Sequence, residues 1–106
     1  MLQVDFVVAP YAASMQGTAM KVASMIRAGG ATVDMLLEPK KKVALNFEYA
    51  DRAGADHMVF VAPDEWEKGS VAVKDLRGTG DNKQVEVPVT ELGNLLAYLD
   101  KVKAEQ

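Results

Sequence analysis

Val4-Asp5-Phe6-Val7-Val8-Ala9-Pro10 opens the chain with a short, nearly continuous apolar run closed by a proline. A strand that shows one face to water alternates apolar and polar side chains. An unbroken run suits a strand buried on both faces, as in a parallel sheet covered by helices. Working outward, Met15, Ala19, Val22, Ala23 and Ile26 recur at helical spacing between residues 13 and 28, and Gly29-Gly30 supply a C-terminal stop. A second apolar run, Ala31–Leu37, ends at Glu38-Pro39. Val43, Phe47 and Ala50 then mark one face of a second helix, with Gly54 at its C′ position, and His57–Val61 reads as a third buried strand.

The second half changes character. Asp64–Lys68 fits one helical turn with Asp64 as its cap. Val71 and Val73 alternate with Ala72 and Lys74, the pattern of a half-exposed strand. Gly78-Thr79-Gly80-Asp81-Asn82 is a turn cluster, and Gln84–Val87 returns as the partner strand of a hairpin. Leu92, Leu95, Leu96, Leu99 and Val102 trace the apolar stripe of a terminal helix starting near Thr90. Right-handed crossovers make the first three strands parallel, and the hairpin adds antiparallel strands at one edge. The expected fold class is therefore α/β: a three-layer single domain over residues 1–106, with a mixed five-stranded sheet flanked by three helices.

Composition narrows the function. An apolar share of 49% over 106 residues describes one globular domain, and no apolar run reaches the roughly 20 residues that span a bilayer. Met1-Leu2-Gln3-Val4-Asp5 lacks a basic segment and a hydrophobic core, so no secretory signal is expected. The absence of cysteine excludes disulfides and thiolate metal sites. With 12 basic and 15 acidic residues, net −3, any nucleic-acid contact must come from a local basic patch. Lys40-Lys41-Lys42 is the densest; Lys74, Arg77 and Lys83 form a looser one.

Catalysis finds little support. His57 is the single histidine, and it sits where the third strand begins, so a zinc site or a Cys/His or Ser/His/Asp arrangement lacks its parts. Gly78-Thr79-Gly80 lacks the third glycine and the following helix of a dinucleotide fingerprint. A Mg²⁺-dependent phospho-acceptor domain also opens βαβαβ, but it needs clustered carboxylates. Here Asp64-Glu65 is one acidic pair without an acid at the end of the first strand. The expectation is no catalytic residue and no metal.

Recognition is better served. Lys40, Lys41 and Lys42 fall at or just before the first turn of the second helix, where each cation opposes the helix dipole by about 0.3–1 kcal/mol. The same placement becomes useful when an anion arrives, because lysines and free backbone N–H groups converge on a phosphate. A solvated, solubilising loop is the alternative. If the helix begins near Lys41, Lys42, Asn46 and Tyr49 lie on one stripe: a cation for phosphate, an amide for a base edge and a ring for stacking. Tyr49 capping the edge of the core is the competing reading. Glu65 lies just past the third strand's carboxyl end, where open α/β sheets gather their ligands, and Lys74 projects from the next strand opposite Val71 and Val73. Such a pair either reads base edges or forms a surface ion pair. Trp66, the only tryptophan, is assigned to packing.

Tyr49-Ala50-Asp51-Arg52-Ala53-Gly54-Ala55, Phe60-Val61-Ala62-Pro63-Asp64-Glu65 and Val73-Lys74-Asp75-Leu76-Arg77, taken in order and spacing, resemble the carboxy-terminal anticodon-binding domain of class II aminoacyl-tRNA synthetases, most closely the histidyl enzymes. The resemblance extends from Val4 to the terminal helix, and includes Ile26-Arg27-Ala28-Gly29 and the Lys-rich loop into Asn46-Phe47-Glu48. It implies an anticodon-binding-domain-like fold and recognition of the anticodon loop of histidine tRNA. Carried over residue by residue, it implicates Lys40 and Lys42 in the loop entering the second helix, Glu65 after the third strand and Lys74 in the hairpin.

The catalytic motifs of the class are absent from these residues. The resemblance therefore implies that ATP- and Mg²⁺-dependent aminoacylation belongs to a separate domain, that this domain carries no cofactor, and that the chain alone is not an enzyme. It further implies a cytoplasmic parent, with mitochondrial use left open, that dimerises through its catalytic domain, and an isolated domain that is monomeric. A chain start tight against the first strand favours a domain excised from a longer synthetase. The contrasting expectation is a free-standing interaction or regulatory relative that has lost RNA reading.

Overall fold

The computed structural model describes residues 4–35, 54–76 and 84–104. Five strands, β1 (Phe6–Pro10), β2 (Val33–Met35), β3 (His57–Val61), β4 (Ser70–Asp75) and β5 (Gln84–Pro88), form one sheet in the order β2-β1-β3-β4-β5. β1 runs parallel to both β2 and β3, in the register Phe6 with Val33 and Phe6 with His57. β3/β4 and β4/β5 are antiparallel. The mixed sheet with an antiparallel hairpin at its edge is thus the one read from the apolar runs. Pro10 does not merely close β1; it is its last paired residue, opposite Val61. Just before the strands, Asp5 and Thr32 lock β1 to β2 reciprocally: the Asp5 N–H donates to Thr32 Oγ1 at 2.8 Å and the Thr32 N–H to Asp5 Oδ2 at 3.0 Å.

Among the described residues the α-helices are α1 (Gln16–Ala28), α2 (Pro63–Glu67) and α3 (Leu95–Ala104). None is long and apolar enough to cross a membrane. A 3-10 turn, Ala13–Met15, leads into α1. Ala19, Val22, Ala23 and Ile26, spaced three and four apart, put one stripe of α1 on the sheet. Gly30 ends it at φ +96°, a backbone conformation that side chains with a Cβ rarely adopt.

The pleat of the sheet separates two apolar layers. Phe6, Val8, Val59, Val61, Val71, Val73 and Val87 face α1, Leu92 and Leu95, and form the main core. Val7, Ala9, Ala55 and Met58 face the other way, with Phe60 and Leu76 packed beside them. The helix predicted over the stretch that holds Val43, Phe47 and Ala50 lies outside the described residues, as does the turn cluster 78–82.

Four details differ from the sequence reading. Ala62, not Asp64, is the N-cap of α2; Pro63 then occupies the first helical turn, where its fixed φ and missing N–H cost nothing. Ser70 to Val73 are all buried, so this part of β4 is not half exposed. The terminal helix is a 3-10 segment, Val89–Asn94, before it becomes α3 at Leu95. Leu96, which the stripe placed inward, is 43% exposed, because the 3-10 segment shifts the helical phase established from Leu92.

Candidate nucleic-acid interface

Glu65 and Lys74 line the same groove, a space of about 220 Å³ on the sheet face opposite the main core. Its floor is made by Phe60 and Ala72, which are paired across β3 and β4, together with Ala62. Lys74 stands on β4 directly opposite Gln84 of β5, and both side chains enter the lining. Tyr11 forms part of the remaining wall. The groove therefore runs across β3, β4 and β5, from Ala62 and Glu65 at the carboxyl end of β3, where open α/β sheets bind ligands, to Lys74, whose partner on β3 is Met58.

Local chemistry holds these groups in place. Val61 ends β3, and its carbonyl accepts from the Tyr11 N–H at 2.9 Å. One residue later the chain turns into α2, which carries Glu65 in its first turn, half-buried. Gly69, at φ +79°, returns the chain into β4, and its carbonyl accepts from the Val89 N–H at 2.8 Å. Ser70 is the buried polar residue of the described core. Its hydroxyl lies 2.6 Å from Glu86 Oε1 and 3.2 Å from the Glu65 carbonyl oxygen, so it bridges α2 to β5 beside the groove.

The arrangement offers one carboxylate acceptor, one ammonium donor, one amide and an aromatic ring around a small apolar floor. That combination suits a flat, hydrogen-bonding ring system. Of the residues singled out in the sequence, Glu65 and Lys74 are brought together. Lys40, Lys41, Lys42, Asn46 and Tyr49 lie outside the described residues. Tyr11 and Gln84 were not anticipated. Position just beyond the first strand's carboxyl end was the signal available for Tyr11; Gln84 had none, because its place depends on hairpin register.

His57 opens β3 and does not line this groove; it is half-buried, with its ring centroid 5.4 Å from that of Phe6. Its Nδ1 is buried without a hydrogen-bond partner. It is the first residue of the central strand, a boundary position as its place at the start of the strand implied. Trp66 is half-buried and packs against the main core, in keeping with a packing role.

Comparison with known proteins gives one consistent answer. A family model described as "Anticodon binding domain" matches residues 5–99. A histidine–tRNA ligase of Xylella fastidiosa (strain M12) is 40% identical over 78 residues, covering 74% of this chain and 16% of that protein. The chloroplastic/mitochondrial histidine–tRNA ligase of Arabidopsis thaliana is 39% identical over 85 residues, covering 80% of this chain and 17% of its own length. The chain thus spans about a sixth of the length of these relatives. Among solved structures, histidyl-tRNA synthetase from Nostoc sp. PCC 7120 superposes with a TM-score of 0.79 at 26% identity, over 92% of this chain and 22% of that one. The RNA binding domain of threonyl-tRNA synthetase from Cryptosporidium parvum Iowa II has a TM-score of 0.77 at 12% identity, over 90% and 23% of the respective chains, a likeness of fold alone. Matched by that family over nearly its whole length, the chain belongs to the anticodon-binding domains, in the form carried by histidine–tRNA ligases.

Proposed function

We propose that this chain reads the anticodon loop of histidine tRNA for a parent histidine–tRNA ligase, and that the groove between Glu65 and Lys74 accepts an unpaired base of that loop. One observation carries the reading: an acceptor on α2 and a donor on β4 line a single groove that starts at the carboxyl end of β3. Sequence-specific RNA recognition targets unpaired bases, whose edges are read by such groups while cations meet the backbone. Lys40, Lys41 and Lys42 supply the phosphate contacts in this reading, with Asn46 and Tyr49 as further contacts in the same stretch of sequence. The net charge of −3 makes those local cations the source of affinity, since the overall field repels RNA.

Aminoacylation, with its ATP and Mg²⁺, falls to a separate catalytic domain of the parent, and this domain works without a cofactor. The parent is cytoplasmic and dimerises through its catalytic domain; the isolated domain is a monomer. Titration with a histidine-tRNA anticodon stem-loop, followed by Trp66 emission, tests the reading. Salt-sensitive binding that exceeds binding to an unrelated hairpin is the expected result. Equal binding to any hairpin, or none, overturns it.

A further inference from the structure

We propose that Tyr11 is the stacking platform of this groove, the residue on which an unpaired base lies flat while Glu65 and Lys74 meet its edge. The inference rests on the RNA reading above and adds to it a residue and a mode of contact. Tyr11 is 65% exposed although it is a large aromatic, and it belongs to neither apolar cluster among the described residues. A single exposed apolar residue is ordinary on a convex surface. Tyr11 is instead part of the wall of a concave site that also holds a carboxylate and an ammonium group.

Its presentation is fixed from both sides. Pro10 before it is buried and paired in β1, and the Tyr11 N–H is bonded to the Val61 carbonyl at 2.9 Å. The 3-10 turn that leads into α1 begins two residues later, at Ala13. Only two side-chain torsions then remain to be ordered when a ligand arrives, so an aromatic contact forms at low entropic cost. The floor opposite is built with Ala62 and Ala72, whose methyl groups leave the space open. About 220 Å³ is less than the roughly 300–1,000 Å³ of a drug-sized pocket, and suits one ring system rather than a paired stem.

Stacking and ion pairing leave different signatures, which separates this proposal from the one it rests on. Stacking carries no charge, so its removal weakens binding by the same factor at every salt concentration, whereas removing a cation from a phosphate lowers the salt slope. With the histidine-tRNA anticodon stem-loop as probe, Tyr11→Ala should bind about tenfold more weakly with an unchanged slope, and Tyr11→Phe should stay within about twofold of the parent chain. One abasic substitution in the loop should remove the difference between the parent chain and Tyr11→Ala, which identifies the stacked nucleotide. Circular dichroism of each variant establishes that the fold is kept. If Tyr11→Ala binds as the parent does, or Tyr11→Leu substitutes fully for tyrosine, the stacking role is wrong while RNA reading stands. If the parent chain itself shows no binding, the RNA reading falls and Tyr11's role with it.

Discussion

Gly29, at the end of α1, meets Gly93, in the 3-10 segment before α3, backbone against backbone. A Cβ built on Gly29 would overlap the Gly93 carbonyl and lie 2.7 Å from its carbon. Two elements distant in sequence therefore close on each other only because one of them has no side chain at the contact. Gly29→Ala should cost about 2 kcal/mol through overpacking, read as a lower urea midpoint. Gly17→Ala, also on α1 but with open space around it, should instead stabilise by up to about 1 kcal/mol.

Leu92 is fully buried between the sheet and α1, whereas Leu96 is 43% exposed. Leu92→Ala should lose about 3 kcal/mol in urea or thermal unfolding. Leu96→Ala should stay within about 0.5 kcal/mol of the parent chain. Equal losses at the two positions would contradict the phase shift introduced by the 3-10 segment.

Ser70 joins the Glu65 carbonyl to the Glu86 carboxylate. Ser70→Ala should cost about 1 kcal/mol, modest because Glu86 is exposed and regains water. Denaturant unfolding measures this. If Ser70 also holds α2 in register beside the groove, the same variant should weaken RNA binding more than Glu86→Gln does.

Lys74 and Glu65 separate by salt. Lys74→Ala should weaken binding of the anticodon stem-loop and, because a cation at the base edge also lies in the field of the neighbouring phosphates, flatten the plot of log affinity against log salt by up to about 0.7. Glu65→Gln should leave the slope intact and reduce discrimination between loops, by about 1–3 kcal/mol for a well-placed edge contact. A titration series from low to physiological salt distinguishes the two.

Lys41→Glu combined with Lys42→Glu should lower stem-loop affinity by a decade or more, since each reversal removes a cation from the phosphates and adds repulsion. Thermal unfolding of the same variant should rise or hold steady, because the new acids favour the positive end of the helix predicted from Lys41. Weaker affinity at undiminished stability marks a binding role.

Much of the fold was legible because β1 and β3 are continuous apolar runs and α1 carries a clean stripe, so periodicity and burial agree. β4 was misread where they disagree. Alternation put Ala72 on a solvent face, yet it is buried, and Ser70 beside it tolerates burial because its hydroxyl finds partners on α2 and β5. The phase of the last helix was lost at Gly93, where a 3-10 segment replaces the α geometry that the leucine spacing assumes. At the site, Glu65 and Lys74 could be read from strand ends and alternation. Tyr11 and Gln84 join them only through the pairings of Pro10 with Val61 and Lys74 with Gln84, which no local pattern encodes.

In β3, β4 and β5 the odd-numbered residues 59, 61, 71, 73 and 87 hold the core, while the even-numbered residues 60, 72, 74 and 84 line the groove. Parity thus divides the labour of each strand. Substitutions at groove positions such as 74 and 84 can retune what the domain recognises while leaving its valine framework untouched. An insertion or deletion of one residue within β4 would exchange the two sets, abolishing shape and recognition in a single step.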